Sequence, residues 1–307
     1  MLRSALLAAA RSGAVRAAVE AGPVDLLVAR FVAGTGVDEA VAAARRITAD
    51  RLVTVDHLGE DVTDREQADA GVDAYRTLLR RLGEEGLAGR VEVSVKLSAL
   101  GQRLPKDAVK IALDSARQVC EAAAAAGTTV TVDMEDHTTT DATLETVHDL
   151  RVDFPWVGAV LQAHLRRTES DCRDLAGPGS RVRLCKGAYD EPVSVAYRRT
   201  GEVDRSFVRC LRILMAGDGL PMVATHDPRL VEIARYLAED TGRSPDDYEL
   251  QMLHGVRPRA QSELAAEGLR VRVYLPYGTE WFGYFMRRLA ERPANLAFFA
   301  RSLMTRG

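Results

Sequence analysis

The sequence predicts an α/β domain closed into a (βα)8, or TIM, barrel, and three observations carry that prediction. From about residue 50 onward, short β-rich runs alternate strictly with longer helical ones, which implies a parallel sheet with right-handed crossovers. The strand candidates number eight, and they occupy about 225 residues, close to the roughly 250 of a closed barrel. No GxGxxG turn follows an early strand, whereas an open doubly wound sheet would normally show one.

The elements follow in order. Residues 1–48 read as an N-terminal helical extension and 49–307 as the barrel. The stretch Ser4–Ala10 is apolar, but Arg11 and Arg16 interrupt it and helical periodicity continues, so an amphipathic helix is expected rather than a signal peptide. Such a helix is compatible with capping the barrel, packing a partner or touching a membrane surface. The strand candidates are Leu52–His57, Val91–Leu97, Thr128–Met134, Trp156–Gln162, Arg181–Lys186, Pro221–Thr225, Tyr248–Leu253 and Val271–Leu275. Each is rich in Val, Leu, Ile or Thr and short enough for a strand buried on both faces. Helices are expected over Arg65–Gly83, Lys106–Ala126, Asp141–Leu150, Asp204–Met215, Pro228–Asp240, Pro258–Glu267 and Trp281–Leu303. Gly127 stands where a C-terminal glycine stops a helix, and Pro228 and Pro258 where a first helical turn tolerates a missing N–H.

Composition narrows the function. Net charge is −3 with no basic stripe, so no nucleic-acid footprint is present. Cys120, Cys172, Cys185 and Cys210 are widely spaced and form no CxxC pattern, which fits reduced thiols of a cytoplasmic chain. No apolar run approaches the roughly 20 residues needed to span a bilayer.

Polar residues at the C-terminal ends of barrel strands point into the active site of this architecture. Here every candidate strand delivers at least one: Asp56-His57, Lys96, Asp133 to His137, Gln162, then Arg183, Lys186 and Tyr189, Thr225 to Asp227, Gln251 with His254, and Tyr274. Lys96 and Asp133 come from adjacent strands, and a buried opposite pair would hold both ionised. Lys186 suits a Schiff-base lysine. Alternatively, Arg183, Lys186 and the Gly187-Ala188 amides suit an anion such as a phosphate. The histidines lack HxH or HExxH spacing, so no metal is expected. On the last helix, Arg287-Arg288 could grip one carboxylate with two guanidinium forks, with Tyr284 and Glu291 on the same side. Taken alone, the arginines fit a solvated surface ion pair better than a clamp.

Val182-Arg-Leu-Cys-Lys-Gly-Ala-Tyr189, Ala224-Thr-His-Asp227, Gln251-Met-Leu-His-Gly255, Tyr274-Leu-Pro-Tyr-Gly278 and Tyr284-Phe-Met-Arg-Arg-Leu-Ala-Glu291 together resemble the proline dehydrogenase family, as do Asp133-Met-Glu-Asp136 and Lys96. The likeness runs from about strand 1 to the C-terminus. It implies an FAD-dependent enzyme that oxidises L-proline to Δ1-pyrroline-5-carboxylate, moves hydride to flavin N5 and passes electrons to a quinone. By the same resemblance, Arg287, Arg288 and Lys96 hold the substrate carboxylate, Asp133 and Tyr189 belong to the catalytic set, and Tyr274, Tyr284 and Leu253 pack around the substrate. Met134, Gln162, Arg183, Lys186, Gly187, Ala188, Thr225, His226 and Glu291 fall to the cofactor side.

Asp227 departs from the family, some of whose members carry Asn there, which touches the adenosine side of the cofactor. The length fits a monofunctional form, with a pyrroline-5-carboxylate dehydrogenase as a separate protein. Cytoplasmic placement with peripheral contact at the inner face of the plasma membrane is expected. If Arg287 and Arg288 clamp substrate, the last helix must leave the outer ring and cross the C-terminal mouth, so the barrel is a distorted one. Two other readings stand beside this one: an aldolase using Lys186, and a silent flavin-binding module.

Overall fold

The computed structural model describes residues 28–291, with the backbone alone for 289–291. Eight strands, β1 (Leu52–His57), β2 (Val91–Val95), β3 (Val130–Val132), β4 (Gly158–Gln162), β5 (Arg181–Cys185), β6 (Leu220–Ala224), β7 (Glu249–Leu253) and β8 (Val271–Tyr277), close into one barrel. Each pairs in parallel with the next, and β8 returns to β1 from Leu52↔Arg272 to His57↔Tyr277. The helices are α1 (Val37–Ile47), α2 (Arg65–Glu84), α3 (Ala108–Ala126), α4 (Thr140–Asp153), α5 (Thr168–Leu175), α6 (Thr200–Ala216), α7 (Pro228–Asp240), α8 (Pro258–Ala266) and α9 (Trp281–Glu291).

The strands alternate with period two, and the alternation explains the layering. Val53, Val55, Val93, Val132, Leu161, Leu184, Val223 and Val273 face the helices and are buried in the ring of core between barrel and helices. Each such side chain contributes about 1.5–3 kcal/mol by leaving water. The opposite face fills the barrel interior, and it is charged. Glu92 accepts from Thr54 Oγ1 at 2.7 Å and pairs with Arg181, while Arg272 grips Glu249 at 2.7 and 2.9 Å. Buried ions of this kind are tolerable only as closed pairs.

Most element ends differ from the sequence expectation by one to four residues, β3 (Val130–Val132 instead of Thr128–Met134) among them, and one helix was not expected. β2 stops at Val95 instead of Leu97 because Leu97–Leu100 winds into a 3-10 turn. Helix α5 was not expected: its sequence is polar, and only Thr168, Asp171 and Cys172 are buried, so no apolar stripe marks it. α6 starts at Thr200, one turn earlier than Asp204. The expected continuation of the last helix to Leu303, and most of the N-terminal extension, lie outside the described residues.

The last helix does leave the outer ring. Phe282, Tyr284, Phe285 and Met286 of α9 form a separate apolar cluster with Phe31, Val32 and Leu58, beyond the C-terminal end of β1. Helix α1 packs against β8, β1 and α2, the outer position that α9 would otherwise fill. The segment leading into α1 crosses from the mouth: Arg30 Nε donates to Gly255 O at 3.3 Å and Ala33 N–H to Pro276 O at 2.8 Å. Gly255 has φ +73°, and a Cβ there would stand 1.9 Å from Arg30 O, so only glycine admits this crossing.

Candidate active site

Lys96 leaves the end of β2 and is largely buried among three carboxylates. Its ammonium lies 2.6 Å from Asp56 Oδ2, 3.5 Å from Asp133 Oδ2 and 3.7 Å from Glu60 Oε1. Burial alone would strip its proton, but Asp56, Tyr274, Asp133 and Glu60 hold its pKa well above the ordinary lysine value. Asp56 carries the opposite burden: burial raises its carboxyl to about 6 against the pull of Lys96. Asp133 stays ionised and below the usual range, because Lys96 and Arg183 outweigh its burial and Tyr274 and Ser94 donate to it. Those two bonds are 2.6 and 2.7 Å long.

Arg183 projects from β5 into the barrel, beneath this cluster. Nη1 donates to Asp133 Oδ1 at 2.6 Å and Ser94 Oγ at 3.0 Å, and Nε to Gln251 Oε1 at 2.7 Å. The guanidinium also stands 5.3 Å from the Tyr274 ring centroid. Lys96, Asp133, Arg183 and Tyr274, expected from four different strands, therefore meet as one network.

Lys186 points elsewhere. Its ammonium pairs with Asp204 Oδ1 at 2.5 Å on α6 and with Asp227 Oδ2 at 3.5 Å. Arg183 and Lys186 thus do not converge on one anion; they mark the inner and outer parts of the mouth. Gly187 has φ +98°, and a Cβ there would stand 2.5 Å from the His164 ring, so only glycine fits at this turn. Gln162 Nε2 donates to Glu135 O at 2.7 Å, and His226 Nε2 accepts from Leu253 N–H at 2.9 Å. Thr225 Oγ1 accepts from Asp227 N–H at 3.2 Å. Met134 is buried next to Asp133, and Ala188 follows Gly187 in the β5–α6 connection.

From above, Arg287 Nη2 reaches Glu60 Oε1 at 2.9 Å. Burial raises the Glu60 carboxyl, but Lys96 and Arg287 outweigh that and lower it. Arg288 is buried, its guanidinium 5.1 Å from the Tyr284 ring. Tyr189 has its phenol pushed up by burial and by Glu135 and Glu60, and it sits within electrostatic reach of Arg287. Two residues on, Glu191 accepts from His137 N–H at 2.9 Å and contacts His137 Nδ1, tying the two connections together. The side chain of Glu291 lies outside the described residues.

Asp56 was expected at the mouth as a strand-end group but was given no role, and Glu60 was not expected. Asp56 is recoverable from its place at the end of β1, where the sequence already puts a polar pair. Glu60 sits in an irregular connection with no periodic signal, and only the fold brings it between Lys96 and Arg287. Among the described residues no group of three potential ligands is arranged for a metal ion.

A family model described as proline dehydrogenase matches residues 40–301. Proline dehydrogenase 1 of Bacillus subtilis (strain 168) is 35% identical over 276 residues, which is 90% of this chain and 90% of that relative. Proline dehydrogenase of Deinococcus radiodurans is 36% identical over 281 residues, 91% of this chain and 90% of that relative. Among solved structures, proline utilization A from Bdellovibrio bacteriovorus, inactivated by N-propargylglycine, superposes with a TM-score of 0.82 at 25% identity. That match covers 94% of this chain and 36% of the other, so the chain spans about a third of the length of that protein.

Proposed function

The chain belongs to the proline dehydrogenase family, and from that membership we propose that it oxidises L-proline to Δ1-pyrroline-5-carboxylate with FAD as cofactor. The observation that carries the reading is the buried network of Lys96, Asp133, Tyr274 and Arg183 beneath the two arginines of α9. Three cations, Lys96, Arg287 and Arg288, approach the mouth from two sides, which suits a small carboxylate gripped by guanidinium forks. Fixing that carboxylate orients the ring carbon that must lose its hydrogen. Asp133 holds the Tyr274 phenol through a 2.6 Å bond, so Tyr274 meets the substrate ring as a fixed wall; Leu253 and Tyr284 complete the apolar side, and Tyr189 closes over it.

The donor set on β4–β6 fits FAD. Gln162, Arg183 and Thr225 offer polar contacts for a heteroaromatic ring edge. Lys186 offers a cation for a diphosphate beside the Gly187-Ala188 turn, and Met134 and His226 complete the lining. FAD held there would supply a two-electron acceptor, at flavin N5, for the hydride from the substrate C5, and Arg183 would set positive charge beside its ring.

Electrons pass onward to a quinone, which implies peripheral contact of a cytoplasmic protein with the inner face of the plasma membrane. No described helix is long and apolar enough to cross one. The product is handed to a separate pyrroline-5-carboxylate dehydrogenase. We propose the division into an extension over 1–48 and a barrel over 49–307, although α1, within the first part, packs in the outer ring of the barrel. The aldolase reading loses ground at Lys186, because a Schiff-base lysine needs a desolvated amine without charge partners and this one has two carboxylates.

An anaerobic titration with L-proline, followed by visible absorbance, tests the proposal. The purified protein should be yellow and bleach in proportion to added proline. A colourless protein overturns the cofactor, and a yellow protein that proline leaves unbleached overturns the enzyme in favour of a binding module.

A further inference from the structure

The connection from β5 to α6, residues 186–199, carries Tyr189, and both of its ends are docked on the connection that follows β4. At the start, His164 N–H donates to Lys186 O at 2.8 Å, and Gly187 leaves no room for a Cβ beside the His164 ring. At the far end, Arg166 N–H donates to Val195 O at 2.9 Å and Tyr197 N–H to His164 O at 2.8 Å. Between these ends Ala188, Asp190, Pro192, Val193 and Ser194 are exposed.

One residue of that exposed stretch turns inward. Glu191 is only 4% exposed, a depth at which a carboxylate needs partners. They come from beyond the neighbouring strand: Oε1 accepts from His137 N–H at 2.9 Å, and Oε2 contacts His137 Nδ1. A carboxylate offers only acceptors, so Nδ1 carries the proton in this contact. Because β4 stands between β3 and β5, the link crosses two strand spacings, about 9–10 Å. The receiving side is firm. Thr138 N–H donates to Asp136 Oδ1 at 3.0 Å, Ser98 N–H and Oγ donate to Glu135 at 3.0 and 2.6 Å, and Gln162 Nε2 donates to Glu135 O at 2.7 Å. His137 thus ends the same short stretch that carries Asp133 into the site.

Tyr189 stands within the fields of Glu135, Glu60, Lys96 and Arg287, and no hydrogen bond to a described residue fixes its hydroxyl. The backbone on either side therefore has to hold the ring, and it is pinned at Gly187 and at Glu191. We propose that Glu191 is a positioning residue for the substrate site: seated on His137, it anchors the chain two residues beyond Tyr189 and keeps that ring over the mouth. The inference rests on reading Tyr189 as the side chain that closes over the substrate. Two residues span at most about 7 Å of chain, so a shift of the Glu191 anchor cannot be absorbed before it reaches Tyr189.

The test uses the flavin-loaded protein and Glu191→Gln, which keeps the shape and an acceptor for His137 N–H but removes the charge that meets Nδ1. KM for L-proline should rise by about tenfold, the loss expected for one charge-assisted hydrogen bond, while kcat changes far less and the flavin content and spectrum match the parent. Tyr189→Ala deletes the ring that Glu191 serves, so adding Glu191→Gln to it should raise KM by less than about twofold. Parent-like KM in Glu191→Gln would overturn the proposal, as would increases that simply multiply in the double variant. If Glu191→Gln does not accumulate as folded protein, His137→Phe, which removes Nδ1 and leaves the backbone donor, decides by the same KM criteria. A parent that fails to oxidise proline would overturn the proposed function instead. Chymotrypsin cleavage after Tyr189 then still reads the anchor: it should run several-fold faster in Glu191→Gln than in the parent, and equal rates would count against the pinning.

Discussion

Around Lys96, three carboxylates at 2.6 to 3.7 Å face one ammonium, and the surplus negative charge is met by Arg183 on Asp133 and Arg287 on Glu60. The pockets of charge interlock, so each side chain is fixed by at least one partner of opposite sign. Arg288 is buried with its guanidinium 5.1 Å from the Tyr284 ring centroid. Arg288→Met keeps the length and apolar contact of the side chain and removes the fork. It should leave the flavin bound and raise KM for L-proline by about ten- to a hundredfold, the range for losing hydrogen bonds to a charged group. Steady-state kinetics matching the parent would remove Arg288 from the clamp. Most of these residues were legible beforehand, because strand ends announce themselves and the aromatic–arginine helix is a specific pattern. Glu60 was not, because it lies in an aperiodic loop.

At the scale of the element, α9, the helix proposed to hold the substrate, is held by packing rather than by the barrel ladder. Phe285 is fully buried in the small cluster with Phe31, Val32 and Leu58. Removing its ring should cost about 3–5 kcal/mol of local packing, and the loss falls on the seating of α9, outside the two main core clusters. Phe285→Ala should therefore raise KM for proline and expose α9 to limited proteolysis, with the main thermal transition shifted less. A variant whose α9 resists proteolysis and whose KM is unchanged would show that the helix is held by other contacts. The displacement of α9 was deducible from function: two arginines on the last helix cannot reach a substrate from the outer ring. Its replacement in the ring by α1 was not deducible, since an amphipathic helix at that end had three compatible destinations and nothing local to choose among them.

At the scale of the molecule, the barrel interior is a charge lattice. Glu92 sits among Arg181, Arg183 and Arg272, whose fields outweigh the effect of burial and hold its carboxyl well below the usual range. Because the folded value is depressed, its stabilising contribution is present above the ordinary carboxylate range and is lost as pH falls toward the folded value. Glu92→Gln removes that charge and leaves three buried guanidinium groups short of it. The expected loss is about 3–5 kcal/mol, measured as a lower urea midpoint near neutral pH and a difference from the parent that shrinks on acidification. Equal midpoints for variant and parent would mean that the lattice is not a stabilising unit. The same lattice ends in Arg183 and Asp133, so the polar filling of the barrel continues directly into the site.

What the sequence determined by itself is the class of fold, the eight strands, the identity of the strand-end groups and the family. All of these follow from local periodicity and from motifs whose residues lie within a few positions of each other. Tertiary structure alone decided which charges meet and where α1 goes. Those outcomes depend on groups such as Glu60 and Arg287, brought together from distant parts of the chain. Their distances are set by closure of the barrel, and no local pattern encodes them.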